Sequence, residues 1–220
     1  DDEGWTRLSA SGGTASGRDL TPLSQDRMHK LAEFLWQSNL LANRMIEIPL
    51  AYLLAEGVRL ECAKPEHQAL LDAWWNDPIN DWDEKLYPRA RSLALLGELC
   101  FTTHVNEHSG FVRLGFLDPR RIGQVVMDPD NPEQPIGVIT KRDARGHYLK
   151  HRVIVLGEDA DLFTRRSAEI RAGFTDGDVF LFQVNQLSGG TRGRSDMLAQ
   201  MDWMDAYDEF LFGEADRARY

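Results

Sequence analysis

Cysteine is scarce in this chain: Cys62 and Cys100 are the two in 220 residues, and neither stands in the C-x-x-C spacing of zinc or redox sites. They read as free thiols buried in apolar or strand-like settings, in a chain suited to a reducing compartment. Basic charge is also in deficit, 25 Lys and Arg against 35 Asp and Glu, a formal net charge of −10. That balance argues against a general affinity for nucleic-acid backbones, which depends on Lys and Arg displacing counterions. Long hydrophobic runs are missing too. The most apolar stretches, Ile46 to Val58 and Leu93 to Phe101, are short and carry Glu47, Glu56 and Glu98, so none reads as a membrane span. The opening Asp1-Asp2-Glu3-Gly4 is acidic with no apolar run behind it, unlike a signal peptide.

Nucleotide-binding loops are absent as well. Gly189-Gly190-Thr191-Arg192-Gly193-Arg194-Ser195 lacks the Lys-Ser/Thr pair of a phosphate loop, and no G-x-G-x-x-G follows a strand. It reads instead as a conformationally demanding strand-to-helix connection. Arg192 and Arg194 within it are candidates for contact with carboxylates of a neighbouring subunit. No nucleophile context surrounds Cys100, and no cofactor is implied.

What is present is enough apolar sequence, 42%, for one large or two small cored units. The expected fold class is α+β, with N-terminal helices, central antiparallel strands and a long C-terminal helix. Ser9 to Gly17 is Ser/Gly/Thr/Ala-rich and reads as a flexible arm over 1–22, with Trp5 as an anchor onto another surface. From Leu23 to Leu54 the pattern is helical. Met28, Leu31, Leu35, Leu40, Leu41, Met45 and Ile48 are available for one face, Pro49 marks a break or kink, and Gly57 acts as a C-cap. Val58 to Cys62 alternates like a short strand, Pro65 opens a helix through Trp74 and Trp75, and Asp83 to Leu99 forms another. Strands follow at 100–105, 111–117, 122–127, 136–142, 147–156 and 179–184, with hairpin loops at Asn106 to Gly110 and Asp128 to Pro132. Trp74, Trp75 and Trp82 read as core, with protein contact as the alternative.

From Met197 the apolar residues Met197, Leu198, Met201, Met204, Tyr207 and Leu211 fall at helical spacing, launched by Ser195 and Asp196. Only Gly213 interrupts before Tyr220, so the helix over 197–220 is expected to continue in something longer. His104-Val105-Asn106-Glu107-His108 matches the H-x-x-E-H pattern of a zinc hydrolase, which needs a helix to bring both histidines onto one face. Here the five residues bridge two strand-like segments, and a surface hairpin is the expectation.

The order of elements resembles the portal, or head-to-tail connector, proteins of tailed bacteriophages. The resemblance is carried by Ser38 to Pro49 running to Gly57-Val58-Arg59-Leu60, by Ala90 to Phe101 with Leu95-Leu96-Gly97-Glu98, and by Leu117-Asp118-Pro119-Arg120-Arg121-Ile122. Phe182-Gln183-Val184-Asn185, leading through Arg192-Gly193-Arg194-Ser195-Asp196 to the long helix, completes it. It implies a wing-like α+β domain over 23–196 and a helix directed toward a stem and clip outside the chain. It also implies a non-enzymatic structural protein of the virion, present in the host cytoplasm during assembly, without a metal or membrane contact. Its partners would be further copies in a dodecameric ring, the terminase motor, capsid and adaptor proteins, and duplex DNA passing through the channel without sequence-specific binding. Asp202, Asp205, Asp208 and Glu209, with Arg192 and Arg194, are the residues this reading places at a subunit interface or the channel, where an acidic wall limits DNA adhesion. A head adaptor or minor head protein is the competing reading, and a metal-dependent hydrolase through His104, Glu107 and His108 a weaker one.

Overall fold

Thr21 starts the first helix by accepting the Ser24 N–H on its hydroxyl, with Pro22 at the first helical position, where its missing N–H is no loss. The computed structural model describes residues 19–155 and 163–219; Trp5 and the Ser/Gly-rich stretch lie outside them. Among the described residues there are six helices: α1 (Pro22–Ser38), α2 (Leu40–Leu54), α3 (Pro65–Trp75), α4 (Trp82–Leu96), α5 (Arg165–Ala172) and α6 (Met201–Arg217). Six strands, β1 (Glu98–Val105), β2 (Val112–Leu117), β3 (Ile122–Met127), β4 (Pro135–Thr140), β5 (Lys150–Val153) and β6 (Asp178–Gln183), form one sheet in the order β2-β1-β6-β5-β4-β3. The class is mixed α+β, and every pairing is antiparallel except β5 with β6.

That parallel pair requires a crossover, and α5, which the sequence pattern does not reveal, lies in it. Pairing also fixes the sheet's curvature. β2 and β3 are opposite edges, roughly 24 Å apart if six strands lay flat at about 4.8 Å spacing. They are nevertheless joined by Asp118 and a single 3₁₀ turn at Pro119–Arg121, a span of at most roughly 18 Å even when extended. The sheet is therefore strongly curled. On its concave side Cys100, Leu117, Ile122, Val125, Val138, Val153 and Val179 form one buried cluster to which all six strands contribute. Burial pushes the Cys100 thiol up to about 12, which leaves it inert; Cys62 is free but only half-buried, contrary to the expectation for it.

A second cluster joins the helices: Met28, Ala32 and Leu35 of α1, Ala42, Ile46 and Leu50 of α2, Leu95 and Leu96 of α4, Met201 and Met204 at the start of α6, and Met197 just before it. Two expectations fail here. The break in the N-terminal helical run falls at Asn39, which ends α1 in an extended conformation (φ −107°, ψ 123°) and caps α2 by accepting the Ala42 N–H. Pro49 lies inside α2 on an exposed position. The interruption resets the helical phase, so Leu40, Leu41, Met45 and Ile48 point outward while Ala42, Ile46 and Leu50 point in. Val58 to Cys62, expected as a strand, pairs with a side chain instead: Gln68 donates to the Leu60 carbonyl (2.9 Å) and accepts the Cys62 N–H (2.7 Å).

Between the two cores lies a buried polar joint. Glu98, with no exposed surface, accepts from Arg192 Nε at 2.7 Å and Nη2 at 2.8 Å, and from the Gly193 N–H at 2.8 Å. Gly97 ends α4 in the left-handed region (φ 76°), and a Cβ there would fall 2.3 Å from the Arg194 backbone nitrogen. A Cβ on Gly193 would fall 1.9 Å from the Gly97 carbonyl oxygen. Glycine at both positions allows these backbones to cross.

Candidate assembly surface

Phase reset at Asn39 leaves α2 with two apolar sides. Its outer side carries Leu41, Met45, Ile48 and Tyr52 at i, i+4, i+7 and i+11, a straight stripe along the helix, with Tyr52 82% exposed. Leu40 and Leu53, off this line, are also open. Single exposed apolar residues are ordinary, but a stripe at helical spacing on an already cored helix has no account within the fold.

α6 repeats the pattern. Met201 and Met204 anchor its first turn in the helical core, and Asn39 Nδ2 donates to Asp208 Oδ2 at 2.7 Å one turn later. A second side of the helix then carries Trp203, Tyr207 and Phe210 at i, i+4 and i+7, with Trp203 78% exposed. Leu211 and Phe212, on the side that met the core, are exposed as well. Of the apolar residues at helical spacing, Met197, Met201 and Met204 are buried, Leu198 packs beside them, and Tyr207 and Leu211 are exposed. The helix runs through Gly213 without interruption and begins at Met201, preceded by a 3₁₀ turn at Leu198–Gln200.

Six acidic residues of α6, Asp202, Asp205, Asp208, Glu209, Glu214 and Asp216, stand against the single Arg217. Asp202 and Glu209 are exposed, Asp208 is half-buried at Asn39, and Glu214 pairs with Arg217 at 2.6 Å. The Asp205 side chain lies outside the described set. The other two expected interface residues sit elsewhere. Arg192 is held inside the fold by Glu98 and by the carbonyls of Pro119 (3.2 Å) and Ile122 (3.3 Å), with its side chain 13% exposed. This takes its guanidinium away from any neighbour, because the connection that carries it folds back across Gly97 rather than outward. Arg194 is half-buried in the same connection.

The three tryptophans pack rather than project. Trp82 lies 5.5 Å from Trp74, 5.7 Å from Trp75 and 5.8 Å from Phe101, with the Arg89 guanidinium 4.1 Å above its ring, which ties α3 and α4 to the sheet. On the other flank of α4, Glu47 receives Arg91 at 2.6 and 3.0 Å, Trp36 at 2.8 Å and Tyr87 at 3.0 Å. The Arg91 pair, followed by the Trp36 and Tyr87 bonds, holds the Glu47 carboxyl down at about 2.

His104, Glu107 and His108 occupy a hairpin: His104 is on β1 and the other two in the turn that Asn106 organises by accepting the His108 and Ser109 N–H groups. His104 lines a cleft of about 500 Å³ with Asp77 and Arg113, which pair with each other at 3.1 Å. Among the described residues no group of three or more His, Cys, Asp or Glu side chains is placed to hold a metal ion, and no helix is long and apolar enough to cross a membrane.

The fold and this surface define a mixed α+β protein whose most prominent outward features are two apolar stripes, on α2 and α6, beside a run of acidic side chains. Compared with known proteins, the chain matches no family model and no curated protein.

Proposed function

We propose that this chain is a non-enzymatic structural subunit of the portal type, which assembles with further copies into a ring at a capsid vertex of a tailed phage. Duplex DNA passes through that ring during packaging and ejection, driven by a separate motor, and adaptor proteins dock on it. The observation that carries the reading is the pair of unpartnered apolar stripes, Leu41-Met45-Ile48-Tyr52 and Trp203-Tyr207-Phe210. Contiguous exposed apolar surface at this scale is what assembling subunits bury. The resemblance in element order supports it, from the Asn39-capped helix through the α4-to-β1 junction to the glycine-rich connection into α6. The acidic character of α6 suits a surface near DNA that must not adhere.

Negative-stain electron microscopy with class averages sorted by rotational symmetry tests it. Closed rings with a central channel wide enough for duplex DNA are the expected result. Small particles without symmetry, at high concentration and across salt conditions, would remove the basis for the portal reading.

A further inference from the structure

The geometry points to the tip of the β4–β5 hairpin as a contact for the phosphate backbone of duplex nucleic acid, made without reading its sequence. The partner rests on the portal reading above; the element that touches it does not. In a chain with 35 acids and 25 bases, residues 141–152 hold Lys141, Arg142, Arg145, Lys150 and Arg152 against the single acid Asp143. A formal charge of −10 opposes a general affinity for polyanions, so any such contact has to be local, and this segment concentrates basic charge.

Two of the five cations are committed to the fold. Lys141 Nζ meets Asp26 of α1 at 2.6 Å, and Arg152 Nε meets Asp178 of β6 at 2.7 Å. Among the described residues no carboxylate stands within ion-pair distance of Arg142, Arg145 or Lys150. Asp143 is occupied with the turn itself: its carboxylate accepts the Arg145 and His147 N–H groups at 2.8 Å each, its N–H donates to the His147 carbonyl at 2.8 Å, and its carbonyl accepts the Gly146 N–H at 2.9 Å. Thr140 closes the base, donating its N–H to the Leu149 carbonyl and accepting the Leu149 N–H on its hydroxyl. The tip is therefore fixed by backbone bonds, and the Tyr148 ring gathers two cations beside it, Arg142 at 5.6 Å and Lys150 at 5.8 Å from its centroid. Arg142 and Arg145 are exposed and Lys150 is half-buried. Cations held in place in advance lose less freedom on meeting an anion.

Composition selects between the two kinds of anionic partner. Protein interfaces deplete charge at their centre and bury aromatic or apolar anchors there, whereas interfaces with nucleic acid are more polar and far more positive. The large apolar or aromatic side chains of the tip are Tyr148 and Leu149, 41% and 44% exposed, and Tyr148 already carries two cations against its ring. Three uncompensated cations around so little apolar surface match the second kind. Guanidinium and ammonium groups recognise phosphate oxygens wherever they fall along a backbone, which gives contact without sequence preference.

Fluorescence anisotropy of a labelled duplex titrated with the full chain over a range of salt concentrations tests it. Neutralising three phosphates gives a slope of about −2.7 for log K against log salt, a loss of roughly 40-fold in affinity between about 50 and 200 mM. Arg145→Gln should bring the slope to about −1.8, and Arg142→Gln/Arg145→Gln/Lys150→Gln should abolish binding. None of the three holds an ion pair, so circular dichroism of both variants should match the unmodified chain. Duplex binding that survives in the triple variant would overturn the hairpin contact; if that variant also lost self-association, the tip would belong to an acidic surface of a second copy instead. No binding by the unmodified chain at low salt would overturn it as well, and rings formed by that same protein would leave the portal reading standing. Hairpin-dependent duplex binding by a protein that forms no rings would do the reverse.

Discussion

Replacing Arg192 by Met should be among the most destabilising single substitutions in this protein, and the structure supplies the reasons. Glu98 has no exposed surface, and the guanidinium provides two of its bonds, at 2.7 and 2.8 Å. Met fills much the same volume but leaves the carboxylate with the Gly193 N–H at 2.8 Å and Gln183 Nε2 at 3.3 Å. Removing one member of a buried ion pair costs about 3–5 kcal/mol, because the other is left as an uncompensated buried charge. The Pro119 and Ile122 carbonyls lose donors in the same step, and these sit in the turn joining the two sheet edges. For a domain of this size each kcal/mol moves the melting temperature by about 2–4 °C, so a fall of roughly 6–20 °C is expected. Urea unfolding followed by circular dichroism should show a lower midpoint with an unchanged slope. The companion Glu98→Leu/Arg192→Met removes both charges and should recover most of the loss, since an apolar pair of similar volume is often as stable as a buried ion pair. A loss below about 1 kcal/mol for Arg192→Met, or a double variant no better than the single, would refute the reasoning and make this pair equivalent to a surface one.

Two further substitutions probe the joints around it. Gly97→Ala combines a left-handed φ of 76° with a Cβ 2.3 Å from the Arg194 backbone; since backbone cannot swing aside as a side chain does, a loss of at least about 2 kcal/mol is expected in thermal unfolding. Glu47→Gln breaks the pair with Arg91 at 2.6 Å, and bonds to a charged group contribute about 1.5–3 kcal/mol. The Glu47 carboxyl is held at about 2, below its ordinary 4.5, so its contribution is present above about 4.5 and is lost as pH falls from there toward 2. Unfolding midpoints of the two proteins should therefore differ at pH 7 and converge as pH falls below 4; a constant gap would sink the assignment.

Helix boundaries in the N-terminal half were readable where local chemistry sets them. Pro65 takes the first position of α3, and the hairpin at Asn106 follows from its Asn and Gly content; α4, expected to run to Leu99, stops at Leu96 because Gly97 takes the left-handed cap. The same reasoning failed where two local signals compete. Asn39 and Pro49 both disrupt helices, and the stronger breaker by intrinsic propensity is Pro. Yet Asn39 can end one helix and cap the next with its own side chain, a double role that makes the interruption there favourable. The curl of the sheet and the crossover through α5 were hidden for a different reason. α5 buries only Ser167 and Arg171, so it carries no apolar stripe to read, and the need for it arises from the β5–β6 pairing, a contact between distant segments.

The phase reset at Asn39 also explains why the apolar outer side of α2 is not legible in the sequence. Read as one continuous helix, Met28 through Ile48 supplies a single apolar face and no remainder, which leaves charged residues, Arg192, Arg194 and the acids of the C-terminal helix, as the interface candidates. Once the helix restarts at Leu40, an inner set of Ala42, Ile46 and Leu50 suffices for the core, and Leu41, Met45, Ile48 and Tyr52 become surplus to it. A sequence that retains four surplus apolar residues on one line of an exposed helix bears an aggregation hazard in any monomer. The hazard disappears if that line is covered by another chain, as the proposed assembly requires.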